Sequence, residues 1–131
     1  MPRVTWPLLG DRPAVCIDLM IGGQRTTIDL HADTGAGAAS SAFELILLES
    51  DCWLCGRPTG SFMDLTGAHA GGPYWLFWVR VRISALAFDA DLSAVGVPAV
   101  PAGFRGVAGF RLLNRFAYGN FGNPAQFGLE R

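Results

Sequence analysis

Ala14-Val15-Cys16-Ile17-Asp18-Leu19-Met20-Ile21-Gly22-Gly23-Gln24-Arg25-Thr26-Thr27-Ile28-Asp29-Leu30-His31-Ala32-Asp33-Thr34-Gly35-Ala36 is the stretch on which the fold turns. Val15, Ile17, Leu19 and Ile21 fall on one face of a two-residue repeat, with Cys16, Asp18 and Met20 on the other. After Gly22-Gly23 the alternation resumes, with Thr26, Ile28, Leu30 and Ala32 opposite Thr27, Asp29 and His31. Two period-two runs joined by a pair of glycines, where positive φ costs little, predict a β-hairpin. Its second strand runs straight into Asp33-Thr34-Gly35-Ala36, so a carboxylate, a hydroxyl and a glycine sit at the end of an apolar strand.

The rest of the chain agrees with a strand-rich reading. Its 131 residues are enough for one core, and 17 Gly and 8 Pro with only 16% charged residues favour short strands and turns over a helical bundle. We therefore expect a single domain over 1–131, with residues 1–13 as an N-terminal arm. A formal charge of −1 offers no basic footprint for nucleic acid. The densest apolar run, Trp75 to Val79, ends at Arg80, far short of a membrane span. The first residues show no signal-peptide pattern, and three cysteines are too few for a disulfide framework. A soluble cytoplasmic protein is the expectation, with neither nucleic acid nor membrane as a partner.

Further along, Ser41 and Glu44 have the spacing of a capping box, and Phe43, Ile46 and Leu47 follow at i, i+3, i+4. That spacing predicts a short helix over 42–49, with the Cys52–Pro58 stretch ending it. Thr66 to Pro73 has turn chemistry and little side chain, the composition of a mobile loop tip. Trp75, Phe77, Val79, Val81 and Ile83 share one face, with Arg80 and Arg82 on the other; Phe88, Ala90 and Leu92 alternate with Asp89 and Asp91. A second hairpin follows, turning near 84–86, its arginines opposite its aspartates. Residues 96–103 read as a Pro/Gly loop and 106–109 as a short apolar piece. Phe110, Leu113 and Phe116 read as a helical turn or two, and 118–131 as a terminal hairpin turning near 122–124.

In sequence order, the hairpin, Asp33-Thr34-Gly35-Ala36, the glycine-rich 67–72 segment, Val107-Ala108-Gly109, a short helix and a last strand resemble the retropepsin-like aspartic proteases. The resemblance covers about residues 14–131. It implies a mostly-β fold, a small closed β-barrel-like retropepsin (acid protease) architecture with one or two short helices. Asp33, Thr34 and Gly35 would then be the catalytic set. Ala36, Gly37, Gly67, Ala68, His69, Ala70, Gly71, Val107 and Ala108 would contact a peptide substrate. The pattern departs from the family at Gly37, where retroviral members often carry an acidic residue. It also departs at Ala39 in place of Ser or Thr, and at Phe110-Arg111 in place of a Met or Tyr before Asp.

Peptide hydrolysis of this kind needs two carboxylates sharing one proton. The chain supplies one Asp-Thr-Gly; the nearest second copy, Asp64-Leu65-Thr66-Gly67, is broken by a leucine. An active enzyme therefore requires Asp33 from two chains across a two-fold axis, a homodimer; the family resemblance implies that the 67–72 loop closes over the peptide. No metal or organic cofactor enters that chemistry.

Other readings compete at individual positions. Gly35 to Ser40 lies between a strand and an expected helix, like a dinucleotide-binding loop, but Ser40 stands where the third glycine belongs and Asp33 would repel a pyrophosphate. Cys52 and Cys55 have redox or half-zinc spacing, against the plainer reading of small apolar residues in a loop. His31 reads as a strand histidine bonded to a neighbour and His69 as a loop histidine. Tyr74 to Trp78 reads as core on one face and a dimer or substrate wall on the other. A retropepsin-fold module that binds peptides or dimerises without cutting is the main alternative to the enzyme.

Overall fold

A computed structural model describes residues 1–131. Ten strands and two short helices follow one another as β1 (Arg3–Pro7), β2 (Ala14–Ile21), β3 (Gln24–Ala32), β4 (Leu45–Leu48), α1 (Glu49–Cys55), β5 (Gly56–Leu65), β6 (Gly71–Ile83), β7 (Phe88–Val97), β8 (Gly106–Ala108), α2 (Phe110–Leu113), β9 (Ala117–Gly119) and β10 (Gln126–Glu130). Strands β2-β3-β8-β4-β7-β6 lie side by side, and a β2–β6 pairing at Asp18 and Arg82 closes them into a six-stranded barrel. Strand β5 hangs on the outer edge of β6. A separate three-stranded sheet, β1-β10-β9, ties the two ends of the chain together. No helix is long and apolar enough to cross a membrane.

The first hairpin forms as the alternation predicts. Ile21 pairs with Gln24, so Gly22 and Gly23 are the whole loop, and their φ values of 59° and 84° are those the tight, twist-matched turn demands. Val15, Ile17, Leu19, Ile28, Leu30 and Ala32 point into the barrel and are buried. The second hairpin also forms: Arg80 lies opposite Asp91 and Arg82 opposite Asp89 across β6 and β7. Asp89 accepts bonds from Arg80 Nε at 2.7 Å and Arg82 Nη2 at 3.1 Å, and these hold its carboxyl below the ordinary range. The N-terminal arm includes a strand, β1, matched to β10 over five residues from Arg3–Glu130 to Pro7–Gln126.

The helix expected over 42–49 is not there. Leu45–Leu48 is strand β4, parallel to β7 and antiparallel to β8, and the helix comes one element later, over Glu49–Cys55. Four consecutive apolar residues fit this position because β4 has apolar packing on both faces. Leu45 and Leu47 enter the barrel core, while Ile46 joins a second cluster with Phe43, Leu65, Leu76, Val95, Val97 and Val107 outside it. The capping-box residues are used elsewhere: Ser41 Oγ accepts from Ala38 N–H at 2.7 Å, and Glu44 is buried in an ion pair. Helix α1 starts with Glu49 and Asp51, acids in the first turn where the helix dipole favours them. Cys52 and Cys55 consequently lie within α1 and not in a loop after a helix. Of the 67–72 segment, Gly67–His69 is a 3₁₀ turn at the tip of the long β5–β6 hairpin while Gly71 and Gly72 already belong to β6, and β7 extends through Gly96 and Val97 before the Pro/Gly loop begins.

Candidate active site

Asp33 is the first residue beyond β3, and the barrel pins its loop from below. Its N–H donates to Ala108 O at 3.0 Å, and the Ala36 N–H donates to Asp33 O at 3.1 Å, closing the turn. The Gly35 N–H donates to Asp33 Oδ1 at 2.9 Å, so the backbone orients the carboxylate. The start of α2 completes the cradle: Phe110 N–H donates to Ala36 O at 2.9 Å and Gly109 N–H to Glu44 O at 3.0 Å. Glycine fits this cradle closely: a Cβ at 109 would lie 3.0 Å from Ala36 O and 3.2 Å from Glu44 O, tighter than an ordinary contact. At Gly106 a Cβ would lie 2.5 Å from Ile46 O, so β8 can slide between β3 and β4 only without a side chain at that point. Asp33 itself is half-buried and Thr34 is exposed, with no hydrogen-bond partner for its hydroxyl within the chain.

Above this loop stands the tip of the β5–β6 hairpin, and the two enclose a cleft of about 320 Å³. Asp33, Gly35, Ala36 and Gly37 line one part of it, and Asp64 to His69 line another. Phe43, Ile46, Met63 and Leu65 supply its apolar surface. Three of them, Phe43, Ile46 and Leu65, belong to the second apolar cluster, so the cleft rests on packed side chains.

An ion-pair cluster buttresses the same loops. Glu44, 2% exposed, accepts from Arg115 Nε at 2.6 Å and Nη2 at 2.9 Å, and Arg111 Nε lies 4.0 Å from it. Arg111 Nη1 also donates to Ser41 O at 2.9 Å. The hydrogen bond to Glu44 raises the Arg115 guanidinium above its ordinary value. Arg111, one of the departures from the family pattern, thus secures the segment that follows the Asp33 loop.

No protein-family model matches the chain. No curated protein matches it either. Among solved structures, EIAV protease complexed with the inhibitor HBY-793 is similar, with a TM-score of 0.50 and 15% identity, covering 79% of this chain and 86% of that one. The fold is retropepsin-like. At 15% identity the likeness concerns the fold alone.

Within this retropepsin-like fold, most of the residues singled out from the sequence converge. Asp33, Gly35, Ala36, Gly37, Gly67, Ala68 and His69 all border the cleft, and Thr34 lies beside it in the same loop. Ala70 instead lines a smaller recess on the other side of the hairpin tip, with Tyr74 and Pro98. Gly71 opens β6, and Val107 and Ala108 are fully buried under the loop, where they support Asp33 and do not border the cleft. Sequence reading missed Ser41, Phe43, Ile46, Met63, Asp64, Leu65 and Thr66. Phe43 and Ile46 were visible as apolar residues but assigned to a helix face, and Asp64 only as part of a broken Asp-Thr-Gly.

The competing candidates lie elsewhere. His31 packs on Phe104, ring centroids 5.2 Å apart, and does not border the cleft. Burial pushes the Cys55 thiol up to about 11 and the Cys52 thiol further still, which keeps both protonated at neutral pH. A redox pair needs the opposite shift.

Proposed function

We propose that the protein is an aspartic endopeptidase in which the Asp33 carboxylates of two identical chains share one proton and activate water. The observation that carries this reading is the placement of Asp33 in a retropepsin-like fold: at a strand end, oriented by the Gly35 N–H, bordering a cleft capped by a hairpin tip. One carboxylate is ionised and takes a proton from water as the oxygen attacks the scissile carbonyl. The other is protonated and donates to the carbonyl oxygen. Two carboxylates a few ångströms apart cannot both ionise, so the pair titrates as a unit. Thr34, exposed and without a partner in its own chain, is free to brace the two loops across the axis. Gly35 leaves room for substrate backbone, and the 67–72 tip closes over the peptide and excludes water. Residues 1–131 act as one domain in this reading, and neither metal nor organic cofactor takes part.

A second reading follows from the pairing of the chain's own ends. Because β1 is matched to β10 of the same chain, a monomer keeps its barrel and its cleft while Asp33 lacks a second carboxylate. Such a monomer would bind peptides without cutting them. The test is a peptide-library digest from acid to neutral pH, read by mass spectrometry, with wild type and Asp33→Asn. Defined cleavage by the wild type that disappears in the variant supports the endopeptidase. Cleavage that survives Asp33→Asn, or none from a confirmed dimer, removes it.

A further inference from the structure

The charge around the cleft is one-sided. Its ionisable lining residues are Asp33, Asp64 and His69; none of the chain's ten arginines borders it, and the chain has no lysine. Asp64 is the residue of interest because the proposed chemistry makes no use of it. It lies between Met63, paired with Tyr74, and Leu65, paired with Gly71, where the β5–β6 register shifts. Across the hairpin Gly72 makes room for it: a Cβ there would lie 2.6 Å from Asp64 Oδ1. The Asp64 side chain is exposed, forms no ion pair and accepts no hydrogen bond, whereas Glu44, Asp51, Asp89 and Glu130 are all engaged by arginines. Next to it in the cleft are the apolar side chains of Phe43, Ile46, Met63 and Leu65.

A free carboxylate beside an apolar surface complements a cation beside an apolar group. Resting on the endopeptidase reading, we propose that Asp64 sets substrate preference: the cleft takes peptides carrying an Arg or Lys side chain that reaches Asp64, adjacent to a large apolar residue seated against the partly exposed Met63. The Asp64 carboxylate favours a bound cation, and an acidic side chain at the same place would be repelled by it. The discrimination expected from one exposed ion pair is about two- to fivefold, expressed in KM and weakened by salt.

The test compares matched peptides that differ only by Lys, Gln or Glu at the position next to the apolar residue, with wild type, Asp64→Asn and Asp64→Lys. The readout is the ratio of kcat/KM values within each protein, which does not depend on how much of a variant folds. The proposal expects wild type to favour Lys over Gln about two- to fivefold, Asp64→Asn to bring that ratio to about one, and Asp64→Lys to favour Glu. A wild type indifferent to charge, or a Lys preference that survives both substitutions, overturns it. If no peptide is hydrolysed, the endopeptidase reading fails first. Fluorescence anisotropy with the same labelled peptides then decides: equal binding of the Lys and Gln peptides, or no binding of either, overturns the role of Asp64.

Discussion

Removing Arg115 should damage this protein far more than removing a surface arginine, because of what it leaves behind. The Glu44 side chain is 3% exposed and receives two charge-assisted hydrogen bonds from Arg115; Arg111, at 4.0 Å, is too distant to replace them. Arg115→Ala strands a buried carboxylate, a change that typically costs about 3–5 kcal/mol. The Arg115 side chain is 40% exposed, so water reaches the vacated space and the lower end, about 3 kcal/mol, applies. For a chain of this length that corresponds to a fall in Tm of about 10 °C. The control is Arg3→Ala, which breaks the exposed Arg3–Glu130 pair and should cost less than about 1 kcal/mol. A third protein, Glu44→Leu with Arg115→Met, should recover most of the loss, since an apolar pair leaves no stranded charge. Thermal and urea unfolding followed by circular dichroism measure all three. Equal shifts for Arg115→Ala and Arg3→Ala would refute the reasoning, as would a double variant no more stable than the single one. Because Glu44 O receives the Gly109 N–H, the same lesion should loosen the cradle of the Asp33 loop.

Two further outcomes follow from single positions. Gly106→Ala places a methyl group 2.5 Å from Ile46 O, a backbone atom that cannot step aside without moving β4, so urea unfolding should show a loss of about 1–3 kcal/mol. The Cys16 thiol donates to Asp29 Oδ1 at 2.8 Å, and burial followed by this bond pushes it up from 9.0 to about 12. A group whose pKa is higher folded than unfolded contributes stability that is intact below about pH 9 and lost as pH rises toward 12. Wild type should therefore lose stability more steeply than Cys16→Ser over pH 9–11, and parallel curves would contradict that.

The first hairpin was legible because everything that fixes it is local: the period-two pattern, the two glycines and the loop they force. The arginine–aspartate register of β6 and β7 was legible for the same reason. Residues 42–49 were misread because Phe43, Ile46 and Leu47 satisfy a helical repeat as well as Leu45–Leu48 satisfies a strand buried on both faces. Only pairing with β7 and β8, about fifty and sixty residues away, decides between them. Strand β5 went unread because Pro58 and Gly60 and two register shifts against β6 interrupt its alternation. Much of the cleft went unread with it, since Met63, Asp64 and Leu65 reach the Asp33 loop only when β5 folds along β6. Glu44 looked like half of a capping box, and its true partner lies 71 residues downstream. The local turn at Asp33 was readable; the walls of the cleft around it are products of tertiary pairing.

The central claim is that one working site takes Asp33 from two chains, and a mixing experiment addresses it directly. Wild type and Asp33→Asn are combined at equal concentration, allowed to exchange subunits, and assayed for peptide hydrolysis at fixed total protein, with sedimentation confirming the mass of each sample. If both carboxylates are required, only wild-type pairs work, and activity falls to about one quarter of that of pure wild type. Activity of about one half, proportional to the wild-type chains present, in a sample where co-purification of differently tagged chains shows that exchange is complete, would mean that each chain works alone and would contradict the shared-aspartate account.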